Sequence, residues 1–421
     1  MKKKYLEKSL IYLFPVLILV FLIQAYGYYN LYTPWIFSIY YVAIGLLSFC
    51  RIQYHKIFKL FFIAWIIYII LSGLLADLPI RYLTEEFKRF MAPTFFVFVG
   101  MYCRSDKIYK TFLFSIFFSV VLGFLLYIIQ PSWYLSFLVD CFNNLWYTDT
   151  AENANSVMES AFRFQSFFAD SYAISYFVTF SLCIILCDIY RNKKIVTTKW
   201  LQLAILLTLV IGVFLSGFRV AIAYMFLLFV WMSVYGKFTN NPNSKIFTRV
   251  FIAGLVILIL LFVLLSDNMY FSYIVENVFG RFSDFSYETA MEGSRNTQQE
   301  KVLESWQNII FGDGSGSKGA QARIDGLPAI TDGGYVKMLV ENGLVGTSLF
   351  FMIMLTTIKR GLKYLHYFMM ELLIIAYVLI SMLGANSLAM HWCFVIMFWF
   401  AVGRIWNDVV LKKRISEFDM I

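Results

Sequence analysis

Long runs of apolar residues alternate with short polar stretches along almost the whole chain. Each run is about 17–24 residues long, which is the length a helix needs to cross a bilayer. The runs lie at 9–27, 33–50, 57–76, 88–103, 108–130, 168–190, 200–217, 219–236, 249–266, 334–358, 368–386 and 389–406. The pattern predicts an all-α integral membrane protein, a polytopic bundle of about 12 transmembrane helices that forms a single domain over residues 1–421.

The fourth run, 88–103, is the weakest of the twelve. It contains Pro93 and has only a short apolar core. Proline removes a backbone donor and bends a helix. Both a re-entrant segment and a full span are therefore compatible with this run.

Composition excludes a soluble protein. Hydrophobic residues make up 60% of the chain and charged residues 14%, and the mean hydropathy is +0.71. The first apolar run has no small-residue cleavage site after it, so it is interpreted as a retained span and not as a signal peptide.

Lysine and arginine predict the orientation of the spans. With the N-terminus in the cytoplasm, 24 of the 35 basic residues fall in the inner segments. Inner loops of membrane proteins carry this excess, so both termini are predicted to be cytoplasmic. The net charge of +9 follows from this topology and gives no support for nucleic-acid binding.

Two longer loops, 131–167 and 267–333, are predicted to be periplasmic. In the larger loop, Thr297 and Glu300 have the spacing of a capping box. It introduces an amphipathic helix near 297–310, which either lies flat on the membrane or covers the spans as a lid. The glycines from Gly312 to Gly319 are predicted to form a flexible turn. They lack the GxxxxGK[ST] spacing of a phosphate-binding loop.

Arg219 is the first candidate for chemistry. It is the only charged residue between Trp200 and Tyr235 and follows a predicted turn at Ser216 and Gly217. A charge near hydrocarbon usually has a partner or a ligand, although an arginine at the interface can also extend to water. The 267–333 loop has five basic residues against ten acidic ones, so an anion site there must be built from individual arginines.

Further candidates lie at the ends of the predicted outer loops. Arg163, Arg281, Arg295 and Arg323 offer guanidinium groups for phosphate oxygens, with surface ion pairs as the ordinary alternative. Asp332 precedes the tenth span and could act as a general base or merely cap the helix. His391 could serve as a base, but a helix-end histidine without chemistry is the more common case. No metal spacing or disulfide framework is visible among the six cysteines.

Four stretches give the chain a family resemblance. They are RFQSFFAD (163–170), LSGFRVA (215–221), GSRNTQQEKVLESWQNIIFGDGSG (293–316) and DGGYVKMLVENGLVG (332–346). In their order, spacing and topology they resemble the O-antigen polymerase and ligase superfamily of bacterial inner-membrane glycosyltransferases. Ligases of that superfamily typically carry a histidine at the position of Asp332, so the resemblance favours a polymerase.

The resemblance implies an enzyme that joins undecaprenyl-pyrophosphate-linked oligosaccharide repeat units at the periplasmic face of the inner membrane. It implies no cofactor, metal or nucleotide sugar, because the donor carries its own leaving group. Asp332 and Arg219 would be catalytic, and Arg163, Arg281, Arg295, Arg323, Tyr335 and His391 would bind pyrophosphate or glycan. The implied partners are the lipid-linked oligosaccharide, the lipid bilayer and a chain-length regulator protein. The alternatives are an O-antigen ligase and a polysaccharide flippase or transporter.

Overall fold

The computed structural model describes residues 33–129, 171–191, 195–239, 308–330, 333–385, 387–390 and 392–418, with isolated positions in 5–17, 131–136, 241–260 and at 166 and 306. Within this part of the chain every regular element is helical. The elements are α1 (Thr33–Phe49), α2 (Lys56–Leu75), α3 (Ile80–Glu86), a π-helix (Phe87–Met91), α4 (Ala92–Thr94), α5 (Phe96–Tyr102), α6 (Lys107–Ile129), α7 (Ser171–Arg191), α8 (Lys199–Ser216), α9 (Arg219–Phe238), α10 (Ala320–Ile324), α11 (Gly334–Lys363), α12 (Leu365–Ser381), α13 (Ser387–Met390), α14 (Trp392–Ile405) and α15 (Asp408–Phe418).

Among the described residues, six helices are long and apolar enough to cross a membrane, namely α2, α6, α7, α8, α9 and α11. This confirms the helical character that the apolar runs predict and is compatible with a membrane helix bundle. The helix bounds agree with nine of the predicted runs to within about five residues, whereas the fourth run is divided among several short helices. The runs 9–27 and 249–266 are only partly described, so the count of twelve spans stays a prediction.

The helices divide into two compact units whose residues alternate along the chain. The first unit is formed from residues 1–30 and 105–286, and the second from residues 31–104 and 287–421. In the first unit, α7 packs against α6, α8 and α9. Residues 173–191 of α7 are buried along their whole length, so α7 is the central helix of this unit.

The second unit is built around the fourth apolar run, which is irregular. It consists of the π-helix, α4 and α5, and Pro93 lies in the first turn of α4. Gly100 and Gly403 let α5 and α14 pack closely, since a Cβ at Gly403 would lie 1.9 Å from the Val97 carbonyl oxygen. Small residues allow this close packing between apolar helices.

A buried ion pair stabilises the packing of α15, the last described helix of the second unit. The guanidinium of Arg414 on α15 donates to both carboxylate oxygens of Glu371 on α12, at 2.8 and 3.1 Å. Arg404 on α14 donates to the Cys103 carbonyl at 2.6 Å. The paired geometry of a guanidinium and a carboxylate fixes direction as well as distance, so α15 is held in one register against α12.

Candidate functional site

Helix α11 is broken inside its apolar stretch. Gly343 has φ 61° and ψ −170°, which divides the element into the helical segments 334–342 and 344–363. Such a break frees backbone N–H and C=O groups, and these groups need partners where water is absent. An irregular backbone in a membrane helix therefore requires another part of the protein beside it.

The glycine segment, residues 308–319, provides those partners. The N–H groups of Asp313 and Gly314 donate to the carbonyls of Val340 and Glu341 at 2.8 and 3.0 Å. In return, the N–H groups of Leu344 and Val345 donate to the carbonyls at positions 309 and 310, at 3.0 and 3.2 Å. Four backbone hydrogen bonds thus bind the glycine segment to the break in α11.

Positive φ angles explain why this segment is rich in glycine. Gly312, Gly314 and Gly316 have φ angles of 82°, 99° and 91°, a region in which a Cβ is strained. A Cβ at Gly312 would also lie 2.3 Å from the Glu341 carbonyl oxygen. The predicted turn is present, but residues 314–319 are buried and packed against α2, α3 and α11.

Three charged side chains lie close together beside the break in α11. Lys337 Nζ lies 2.8 Å from each carboxylate oxygen of Glu86 and 3.2 Å from Glu341 Oε2. All three residues are buried, with exposed fractions of 3%, 6% and 1% for Lys337, Glu86 and Glu341. We call Glu86, Lys337 and Glu341 the buried triad.

The buried triad also holds the glycine segment. Glu341 Oε1 accepts a hydrogen bond from the Lys318 N–H at 2.9 Å, and the Lys318 ammonium lies 3.7 Å from the Asp313 carboxylate. Glu86 is the last residue of α3, which continues directly into the π-helix, and its carboxylate is a buried negative charge. Lys337 compensates that charge, so one lysine connects α3, α11 and, through Glu341, the glycine segment.

A small cavity of about 20 Å³ lies beside the buried triad. Its lining includes Glu86, Lys337, Glu341 and Asn342, together with apolar residues such as Phe90 and Met382. The two carboxyl groups outnumber the one ammonium in the buried triad, so the cavity is a poor place for a phosphate group.

Two of the predicted site residues have described side chains. Arg219 is the first residue of α9 and directly follows the turn at Gly217 (φ 65°), as predicted. Tyr335 lies in the first turn of α11, donates to the Leu379 carbonyl at 2.8 Å and stacks on Phe351. Tyr335 thus packs α11 against α12, and Arg219 belongs to the first unit.

The other predicted site residues are less fully described. Arg323 lies on α10, but only its backbone belongs to the described part of the chain. The remaining five lie outside the described residues: Arg163, Arg281, Arg295, Asp332 and His391. The predicted amphipathic helix near 297–310 also lies mostly outside them, and Ile309 and Ile310 at its end form a turn and not a helix.

Sequence reasoning did not single out the buried triad. Lys337 and Glu341 are four residues apart inside an apolar span, so they share one helix face, and that spacing was the available signal. Glu86 precedes the fourth run and gave no signal of its own, because its partner is 251 residues away. Only the fold brings these residues together.

Comparisons with known proteins add no family assignment. No protein-family model, curated protein or solved structure matches the chain. The resemblance to the O-antigen polymerase and ligase superfamily therefore depends on the four motif stretches alone. The function has to be argued from those residues and from the geometry of the two units.

Proposed function

We propose that the protein polymerises undecaprenyl-pyrophosphate-linked oligosaccharide repeat units at the periplasmic face of a bacterial inner membrane. The observation that carries the proposal is the assembly around the break in α11. It joins two separate motif stretches, the glycine segment and the start of α11, through four backbone hydrogen bonds. Two of the four stretches that carry the resemblance are thus parts of one local structure.

The reaction requires a cationic site for the leaving group. A sugar hydroxyl of one repeat unit attacks the anomeric carbon of another, and the bond from that carbon to pyrophosphate breaks. The electron pair leaves with the lipid diphosphate, so negative charge grows there. Arg219 is the proposed donor to this charge, and the resemblance gives the same role to Arg163, Arg281, Arg295 and Arg323. No arginine belongs to the buried triad.

The attacking hydroxyl must also lose a proton. Asp332 is the proposed base, and His391 is the alternative. Gly333 follows Asp332 with φ 90°, and the N–H of Gly334 donates to the Ala385 carbonyl at 3.2 Å. The chain is therefore anchored at Gly334, two residues after the proposed base. The donor carries its own leaving group, so the reaction needs no nucleotide sugar and no metal.

Deletion of the gene tests this function in the cell. We expect the surface polysaccharide ladder to collapse to core plus one repeat unit, and the wild-type gene to restore it. Arg219→Ala should fail to restore the ladder, because loss of one positioned donor lowers the rate by about 10²- to 10³-fold. The readout is a gel of surface polysaccharide.

Arg249→Ala is the matched control, since Arg249 belongs to the same unit and is exposed. It should restore the full ladder. A full ladder with Arg219→Ala would remove the role given to Arg219. Complete loss of capped core on deletion would indicate the ligase instead of the polymerase.

One observation favours a second candidate, a transporter of lipid-linked glycan. Many secondary transporters build their binding sites at broken helices with ionisable residues beside the break, and α11 has both features. Liposomes containing the purified protein separate the two functions. Translocation of a lipid-linked sugar without elongation would support transport, and elongation without translocation would support the polymerase.

A further inference from the structure

Three consecutive apolar side chains are exposed at the start of the glycine segment. Ile309, Ile310 and Phe311 have exposed fractions of 56%, 56% and 57%, and they form a turn. We call residues 308–312 the apolar turn. Single exposed apolar residues are ordinary on any protein surface, whereas a contiguous group of them indicates contact with an apolar partner. The apolar turn therefore needs an occupant other than water.

Hydrogen bonds to two long helices fix the level of the apolar turn. The Tyr68 hydroxyl on α2 lies 2.9 Å from the Phe311 carbonyl oxygen, and the Val345 N–H on α11 donates to the Ile310 carbonyl at 3.2 Å. Tyr68 is seven residues before the last residue of α2, which is about 10 Å along the helix axis. Val345 is eleven residues after the first residue of α11, or about 16 Å by the same rise. The apolar turn thus lies well inside the ends of both helices.

The part of α2 that extends beyond this level is itself apolar and exposed. Leu74 and Leu75 are exposed there, on a helix that is long and apolar enough to cross a membrane. Directly after α2, a Cβ at Gly314 would lie 2.2 Å from the Ala76 Cβ. Gly314 is therefore level with the end of α2. From Gly314 to Phe311 the chain runs back along the apolar part of that helix.

The backbone of the apolar turn is suited to a place without water. All four carbonyls from Asn308 to Phe311 accept hydrogen bonds. The donors, in order, are the N–H groups of Gly312, Leu344 and Val345 and the Tyr68 hydroxyl, at 2.8, 3.0, 3.2 and 2.9 Å. The adjacent carboxylate of Asp313 is paired with Lys318 at 3.7 Å. Irregular backbone is tolerated at membrane depth only where the protein supplies such partners.

We infer that the apolar turn lies inside the bilayer, with the side chains of Ile309, Ile310 and Phe311 in contact with lipid acyl chains. The exposed surface of α2 continues onto the turn, so the acyl chains that would cover Leu74 and Leu75 also cover these three side chains. The start of the glycine segment is then re-entrant. This differs from the sequence prediction, which places all of 267–333 in a periplasmic loop. The inference does not rest on the proposed function.

Fluorine NMR of the full-length protein in nanodiscs tests the position of the apolar turn. Trifluoromethyl-phenylalanine replaces Phe311, so the ring is retained. Line broadening is measured with a phospholipid that carries a nitroxide in its acyl chain, and separately with a water-soluble gadolinium chelate. We expect the lipid nitroxide to broaden the signal and the gadolinium chelate to leave it unchanged. The same label at Phe61, exposed on α2, is the reference for lipid contact, and at Phe98, buried on α5, it is the reference for a side chain enclosed by protein.

A label at Ile310 is the second position, in case the label at Phe311 prevents folding. Lipid broadening equal to that at Phe61 supports the inference. Broadening by the gadolinium chelate would place the apolar turn in water and overturn it. Weak broadening by both probes, as at Phe98, would mean that another part of the chain or a second copy covers the turn, which overturns it as well. Glycan transfer is not measured, so this result is independent of the proposed polymerase.

Discussion

Replacing Lys337 with Met is expected to lower the free energy of unfolding by about 3–5 kcal/mol, because it leaves two buried carboxylates without their counter-ion. Lys337 makes three contacts of 2.8–3.2 Å with Glu86 and Glu341 in a site that water hardly reaches. Total stabilities are about 5–15 kcal/mol, so the loss is a large fraction. The measurement is the unfolding midpoint of the purified variant in nanodiscs.

Lys359→Met is the matched control, because Lys359 lies on the same helix and is exposed. It should change stability by less than about 0.5 kcal/mol. A variant in which Glu86 and Glu341 are also replaced by Gln should recover much of the loss, since removing a buried ion network as a whole is often nearly neutral. Unchanged stability of Lys337→Met would show that the buried triad does not hold the second unit together.

Gly343→Ala is expected to separate α11 from the glycine segment. Gly343 has φ 61° and ψ −170°, a conformation that is essentially restricted to glycine and costs other residues about 1–3 kcal/mol. The added Cβ would also lie 2.4 Å from the carbonyl oxygen of Ile310 and 2.5 Å from the nitrogen of Gly312. We expect a lower unfolding midpoint and loss of the polysaccharide ladder.

The control for this variant is Gly384→Ala, since a Cβ at Gly384 would meet no atom within 4 Å and its φ is not positive. Its midpoint and ladder should match the wild type. If Gly343→Ala behaves like this control, the break in α11 is not required, and the proposed function loses the observation that carries it.

Hydrophobic length predicted most of what the structure shows of the fold. The run 57–76 became α2 at Lys56–Leu75, and the turn between α8 and α9 is at the predicted Ser216 and Gly217. Apolar length and a glycine at a helix end are local signals, so they can be recognised without tertiary contacts. The irregular fourth run was also signalled locally, by Pro93.

The break in α11 could not be predicted in this way. A single glycine in an apolar run costs only about 1 kcal/mol relative to alanine, so Gly343 alone does not indicate a broken helix. The hydrogen bonds that stabilise the break come from residues about thirty positions earlier in the chain. The buried triad likewise depends on Glu86 and Lys337, which are 251 residues apart. Periodicity contains no information about such contacts.

The role of the predicted arginines is proposed from the resemblance of the motif stretches. Arg219 lies at the start of α9, as its turn predicted. The carboxyl groups of the buried triad make the cavity beside the break a poor place for pyrophosphate, so the proposed function puts the leaving group elsewhere. In the proposed function the arginines bind the leaving group and Asp332 accepts the proton. The buried triad stabilises the broken conformation of α11.

Elongation by the purified protein tests the central claim most directly. The full-length protein in nanodiscs is given only an undecaprenyl-pyrophosphate-linked repeat unit, with no nucleotide sugar, and the products are separated on a gel. The account predicts a ladder of increasing repeat number with release of undecaprenyl pyrophosphate, lost in Arg219→Ala and retained in Arg249→Ala. Unchanged substrate after incubation with folded wild-type protein would contradict it.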